Sequence, residues 1–345
     1  MRAQLKRLAA LSAIPLLAAT IAPAQAAEEV NIYSYRQAFL IKPMLDAFTE
    51  ETGITANVVF AKKGLIERLQ NEGRNSQADL VLTADTGRLL DLVNRDLTQA
   101  VESDELDSNI PEQYRDPNDH WYGLTSRSRI VYASKERVKP GELTSYEDLA
   151  DPKWQGRICT RSGKHSYNLS LIGSMIAHHG EADAEKWLEG VKTNLARKPQ
   201  GNDRAQVKAI KEGVCDLAIG NTYYYGKMLH NSKETEQVEW ANAVNLVFPN
   251  QNDRGAHMNI TGAAVTKYAP NRDNAVKLLE FLSQTKAQGM YAQVNYEFPV
   301  KADTPLSGLV KESMSGFKAD TLSLATIAEN RTKAAKLVDK VQFDH

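Results

Sequence analysis

Cys215-Asp216-Leu217-Ala218-Ile219-Gly220-Asn221-Thr222-Tyr223-Tyr224-Tyr225-Gly226 runs from an apolar segment through turn residues into aromatic ones. Residues 215–219 suit a buried strand, Gly220-Asn221-Thr222 a turn, and 224–230 a helix. Strand, turn and helix in one line is the building unit of an α/β sheet. Outward from it, helix 204–212 precedes the strand, and an earlier strand at 157–160 leads into helices 168–178 and 182–195. Nearer the start, strands at 30–33, 54–60 and 79–83 alternate with helical patterns over 39–48, 64–72 and 86–94. Gly53 stops the first of these helices. Two such series predict two α/β lobes, each a sheet covered on both faces. The polar, strand-like run 123–132 after Trp121 is the candidate crossover. A strand at 244–249 is expected to return to the first lobe, followed by helices 271–282 and 286–295 and helical parts of the tail beyond Pro305. In such sheets ligands bind beyond the carboxyl ends of strands, where helix N-termini converge.

The N-terminus is a processing signal on this reading. Arg2, Lys6 and Arg7 precede an apolar stretch over 8–22, and Pro23-Ala24-Gln25-Ala26 ends in a small-x-small site. These are the three parts of a secretory signal peptide, cleaved after Ala26. The apolar stretch falls short of the ~20 residues a membrane span needs. Losing 1–26 removes three basic residues and no acidic one, so a formal charge of −1 becomes −4. A mildly acidic exported chain does not carry the basic footprint of a nucleic-acid binder. Cys159 and Cys215 are its two cysteines. In an exported protein an even count suggests a disulfide, here across one sheet, with two buried thiols as the alternative.

Three adjacent tyrosines, 223–225, cannot all face one apolar layer, because successive helical positions point about 100° apart. At a strand-to-helix turn neighbouring side chains can converge on a cleft. Tyr167 holds an equivalent place, after strand 157–160 and at the start of helix 168–178. Phenolates suit a hard, highly charged cation. A phenol ionises near ~10, so ionising several at neutral pH needs a strong local charge such as Fe³⁺. Three phenolates would leave about half of an octahedral shell to water or a small oxyanion. The competing reading of the same positions is an aromatic wall for an organic or oxyanion solute.

Several stretches make the mature chain resemble the periplasmic ferric-ion-binding proteins of bacterial ABC iron importers, a branch of the type II periplasmic binding proteins. They are Tyr33-Ser34-Tyr35-Arg36, Ala78-Asp79-Leu80-Val81-Leu82-Thr83, and the run from Asp148 to Gly156 through Trp154. Ser166-Tyr167-Asn168, Arg197 to Asp203, Gly220 to Gly226, and Phe248-Pro249-Asn250 complete the set. The tyrosine before Asn168 and the run after Asn221-Thr222 are the iron-specific ones. The resemblance implies two lobes, each a mixed sheet flanked by helices, with a ligand cleft between. The first lobe takes 27–125 and about 250–302; the second takes 126–249 and about 303–345. It also implies Tyr167, Tyr223 and Tyr224 as ferric ligands and Tyr225 as packing. A related branch adds His and Tyr where this chain has Gln37-Ala38. The departure points to the three-tyrosine branch, completed by a synergistic anion, typically carbonate or bicarbonate. Arg36, Gln37 and Arg127 are then the anion-binding or supporting candidates, since guanidinium groups present paired donors to planar oxyanions. The implied partners are an ABC permease and ferric iron, free or chelated, and the implied state is a periplasmic monomer.

Other candidates read blandly. His178-His179 ends a helix before Gly180, where exposed histidine is favourable. His165 could reach the cleft but is left outside the ligand set, and His257 is expected to steady the chain between lobes. The common hydrolase, zinc and phosphate-loop motifs are absent, so nothing in the sequence supports catalysis.

Overall fold

The computed structural model describes residues 28–306 and 308–345; the expected signal segment 1–26 lies outside the described residues. Among the described residues there are nine strands: β1 Glu29–Ser34, β2 Thr55–Phe60, β3 Leu80–Thr83, β4 Tyr122–Ser134, β5 Ile158–Cys159, β6 Leu217–Asn221, β7 Val244–Val247, β8 Met258–Val265 and β9 Phe298–Pro299. Their order is β2-β1-β3-β8-β4-β6-β5, with β7 and β9 also on β4. β1 runs parallel to β2 and β3, and β5 to β6, while β8 and β4 are antiparallel to their neighbours. The architecture is therefore mixed α/β.

β4 joins the two halves. Its 13 residues are all buried. Tyr122–Ser128 pairs with β8, and the ladder with β6 begins at Arg129. Period-two alternation then builds a core on each face of each half. Ile32 joins Phe48 and Phe281, while its neighbour Tyr33 joins Leu65, Leu89 and Trp121. In the second half Val131 faces Leu217, Ile219 and Trp187, and Ile130 faces Val207, Ile210 and Met228. Gly53 ends helix Ala38–Thr52 in the left-handed region at φ 76°, as its place in the sequence predicts.

Two expectations shift. The strand at 244–249 does not return to the first half. β7 pairs with Val131–Ser134 of β4, and the returning strand is β8. Local pattern identifies a strand but not its partner, which is a non-local choice. The tail, expected with the second lobe, touches both. Met258 and Phe298 pack with Val310 and Met314, and helix Leu324–Glu329 lies between helices Thr86–Asn94 and Ser166–His179. Helix Arg331–Lys340 covers Ser166–His179.

Cys159 ends β5 and Cys215 stands two residues before β6, with their Cα atoms 5.9 Å apart and the disulfide formed. The bond closes a loop of 56 residues, a length for which loss of a cross-link costs about 2–4 kcal/mol. Reductant, or Cys159→Ser with Cys215→Ser, should lower the melting midpoint of the iron-free protein. A midpoint unchanged by either treatment would contradict this.

Candidate metal centre

β5 and β6 are parallel neighbours, so their carboxyl ends open on the same side. β5 continues through residues 160–165 into helix Ser166–His179, with Tyr167 in its first turn. β6 runs through Thr222 into helix Tyr223–Leu229, which Tyr223 and Tyr224 begin. The two hydroxyls of Tyr167 and Tyr223 meet at 3.3 Å. The Tyr223 and Tyr224 rings lie 4.3 Å apart, tilted by 37°. Burial pushes the Tyr223 phenol well above its ordinary value, and the neighbouring phenols Tyr167 and Tyr224 push the same way. Burial and then Tyr167 raise Tyr224 as well. Tyr225 turns away and packs on the cluster around Ile130 and Met228. The helical rotation of about 100° per residue thus separates one tyrosine from the other two. A groove of about 780 Å³ beside Tyr35, Arg88 and Arg331 contains none of the three.

The tyrosine helix is also held from the first half. Lys227 Nζ donates to Val294 O at 2.8 Å and to Asn295 Oδ1 at 3.3 Å. Gly226 lies against the Tyr296 ring so closely that a Cβ there would enter it.

Beneath the phenols is a buried polar network. Arg129 donates to Asp203 Oδ2 at 3.0 Å, to Asn221 Oδ1 at 2.9 Å, and through two nitrogens to Asn168 Oδ1 at 3.0 and 2.7 Å. Asp203 also accepts from Arg161 at 3.2 Å and from the Asn221 backbone N–H at 3.1 Å. Asn168 directly follows Tyr167, and Asn221 lies two residues before Tyr223. One network therefore fixes both tyrosine arms. His165 Nδ1 accepts from Tyr167 N at 3.2 Å and caps that helix. Burial, with Arg161 and Arg129, pushes the His165 imidazole down to about 3, so it stays neutral.

From the first half, Arg36 enters as a buried side chain paired with Glu297 at 2.9 and 2.6 Å. Gln37 is exposed at the start of helix Ala38–Thr52. Arg127 is 1% exposed. It donates to Ala84 O and, at 3.5 Å, to Thr261. Its guanidinium lies 5.7 Å from the Tyr167 ring centre, with those of Arg129 and Arg161 at 5.7 and 5.5 Å. Among the described residues no carboxylate pairs with Arg127. Four guanidinium groups thus face two carboxylates, Asp203 and Glu297. Buried charge without a counter-charge is costly, so the corner is electrostatically prepared for anions. No three of His, Cys, Asp and Glu gather as a metal cluster among the described residues. His178 and His179 instead meet Asp320 and Glu147, each at 2.7 Å.

A family profile described as "Bacterial extracellular solute-binding protein" matches residues 75–315. The chain belongs to that family. Iron uptake protein A1 of Synechocystis is 43% identical over 314 residues, covering 91% of this chain and 87% of that one. The apo ferric ion-binding protein A of Pasteurella haemolytica superposes with a TM-score of 0.87 at 52% identity, covering 92% of this chain and 99% of that chain. A Trichodesmium protein in complex with iron and citrate superposes with a TM-score of 0.87 at 40% identity, covering 91% and 99%. The likeness bears out the two-lobed, type II mixed α/β fold expected from the sequence.

In this solute-binding protein the expected tyrosines Tyr167, Tyr223 and Tyr224 come together, Arg36 and Arg127 lie beside them, and Gln37 stays at the surface. Sequence reasoning did not single out Arg129, Arg161, Asp203 or Glu297. One signal was available: Arg127 and Arg129, two apart in a strand, share a face and demand partners. Which acid answers them was not legible.

Proposed function

We propose that this solute-binding protein captures Fe³⁺ in the periplasm through the phenolates of Tyr167, Tyr223 and Tyr224 and delivers it to an ABC permease. The observation that carries the reading is the meeting of phenols from two helix starts at one sheet edge, 3.3 Å apart. The relatives named for ferric iron support it. Three phenolates neutralise Fe³⁺ and leave part of its coordination shell open. The two positive charges in excess around Tyr167 then suit a dianion, so carbonate, or bicarbonate at lower pH, completes the shell against Arg127 and Arg36, with Gln37 at the rim. The protein acts as a monomer with no catalytic turnover. Ligand bridging the lobes shifts the molecule toward closure only through the contacts it gains when shut.

Iron-free protein mixed with ferric citrate should turn red-orange through tyrosinate-to-iron charge transfer. Burial keeps the Tyr223 and Tyr224 phenols protonated at neutral pH, so iron must displace at least these two protons. Metal binding that releases protons weakens in acid; two protons give roughly a hundredfold loss of affinity per pH unit of acidification. Absence of a visible band in the wild type sinks the iron reading and leaves the organic or oxyanion solute. A band with affinity independent of pH contradicts phenolate ligation.

A further inference from the structure

Tyr167 is tied to the sheet by the loop 160–165, whose start is held by Gln200 N donating to Thr160 O at 3.2 Å and by Arg161 donating to Asp203 at 3.2 Å. On its inner side Asn168 Nδ2 donates to Arg161 O and Ser162 O at 3.0 and 3.1 Å. On its outer side the tail holds Ser162 and Gly163. Asp344 accepts from the Ser162 hydroxyl at 2.5 Å and from the Gly163 backbone N–H at 2.7 Å. Phe343 and Val338 close on Gly163, where an added Cβ would lie 2.9 and 3.0 Å from their side chains. Lys164 also meets Asp339 at 2.6 Å, but both side chains are exposed, and such pairs contribute little. A carboxylate receiving two donors from consecutive residues is the stronger hold.

We infer that Asp344 is a positioning residue for Tyr167: the tail sets the loop, and the loop sets the phenol against Tyr223. This rests on the proposed iron site. Loosening a residue that orients a metal ligand costs roughly 10–100-fold in metal affinity. Asp344→Ala should therefore lower ferric affinity in competition with citrate by about tenfold or more and shift the charge-transfer band. Asp344→Asn, which keeps one acceptor, should fall between it and wild type. Asp339→Ala, on the same face, should match wild type in affinity and band. Hydrogen exchange over residues 163–167 in the iron-free protein should quicken in Asp344→Ala and not in Asp339→Ala, a readout that needs no iron. A wild-type band with unchanged affinity, band and exchange in Asp344→Ala overturns the inference. A wild type without a band overturns the iron reading alone, and the exchange experiment still decides the loop anchor.

Discussion

Tyr223→Phe is expected to lower ferric affinity by about a hundredfold and to remove or shift the visible band, while the fold remains intact. A structural metal ion is held by about 10–16 kcal/mol over some four ligands. One ligand therefore carries about 3 kcal/mol, which is roughly a hundredfold in affinity. Phenylalanine keeps the ring that packs on Tyr224 at 4.3 Å and gives up the hydroxyl that meets Tyr167. Burial already disfavours that polar group, so the melting midpoint of the iron-free protein should hold or rise slightly. Tyr225→Phe is the internal control, because Tyr225 packs on the opposite cluster. Equal loss of colour in both variants would show that Tyr225 serves the iron as much as Tyr223 and would overturn the choice of two phenols from the run. Iron titration with absorbance between the two variants makes the comparison direct.

Asp203→Asn carries the second large effect, this time on stability as well as binding. Asp203 is fully buried and joins Arg129, Arg161 and the Asn221 backbone. Its burial alone would raise the carboxyl, but Arg129 and Arg161 outweigh that and hold it below the usual range. Removing one partner of a buried ion pair costs about 3–5 kcal/mol, because the other charge is left uncompensated. Arg129 is 2% exposed and would be that charge. The sign with pH follows from the lowered carboxyl. The stabilisation is present above the ordinary aspartate range and is lost as acid protonates Asp203 in the folded protein. Thermal melting should show the variant well below wild type at neutral pH, with the gap narrowing in strong acid. Ferric affinity should fall too, since Asn221 leads directly into Thr222 and Tyr223. A variant with wild-type melting would mean that Asn168 and Asn221 alone can satisfy Arg129.

Local sequence pattern is enough for the α/β class, the crossover run and the clustering of the tyrosines. Those features are written in local terms. A strand shows as an apolar run, a helix start as turn residues before helical spacing, and a phenol cluster as three neighbouring letters that no single core face can absorb. The resemblance then pointed to Tyr223 and Tyr224 over Tyr225, and in the structure Tyr225 packs on the cluster around Ile130 and Met228. Tertiary structure decided everything that depends on who meets whom across long separations. It placed β7 beside β4 and made β8 the returning strand. It brought Asp203 under Arg129, 74 residues away, and Glu297 to Arg36 across 261. Among the described residues it also left Arg127 buried without a carboxylate partner. Each of these pairings is fixed by the close packing of whole sheets and helices, and a local pattern of apolar and polar residues carries the demand for a partner but not its address.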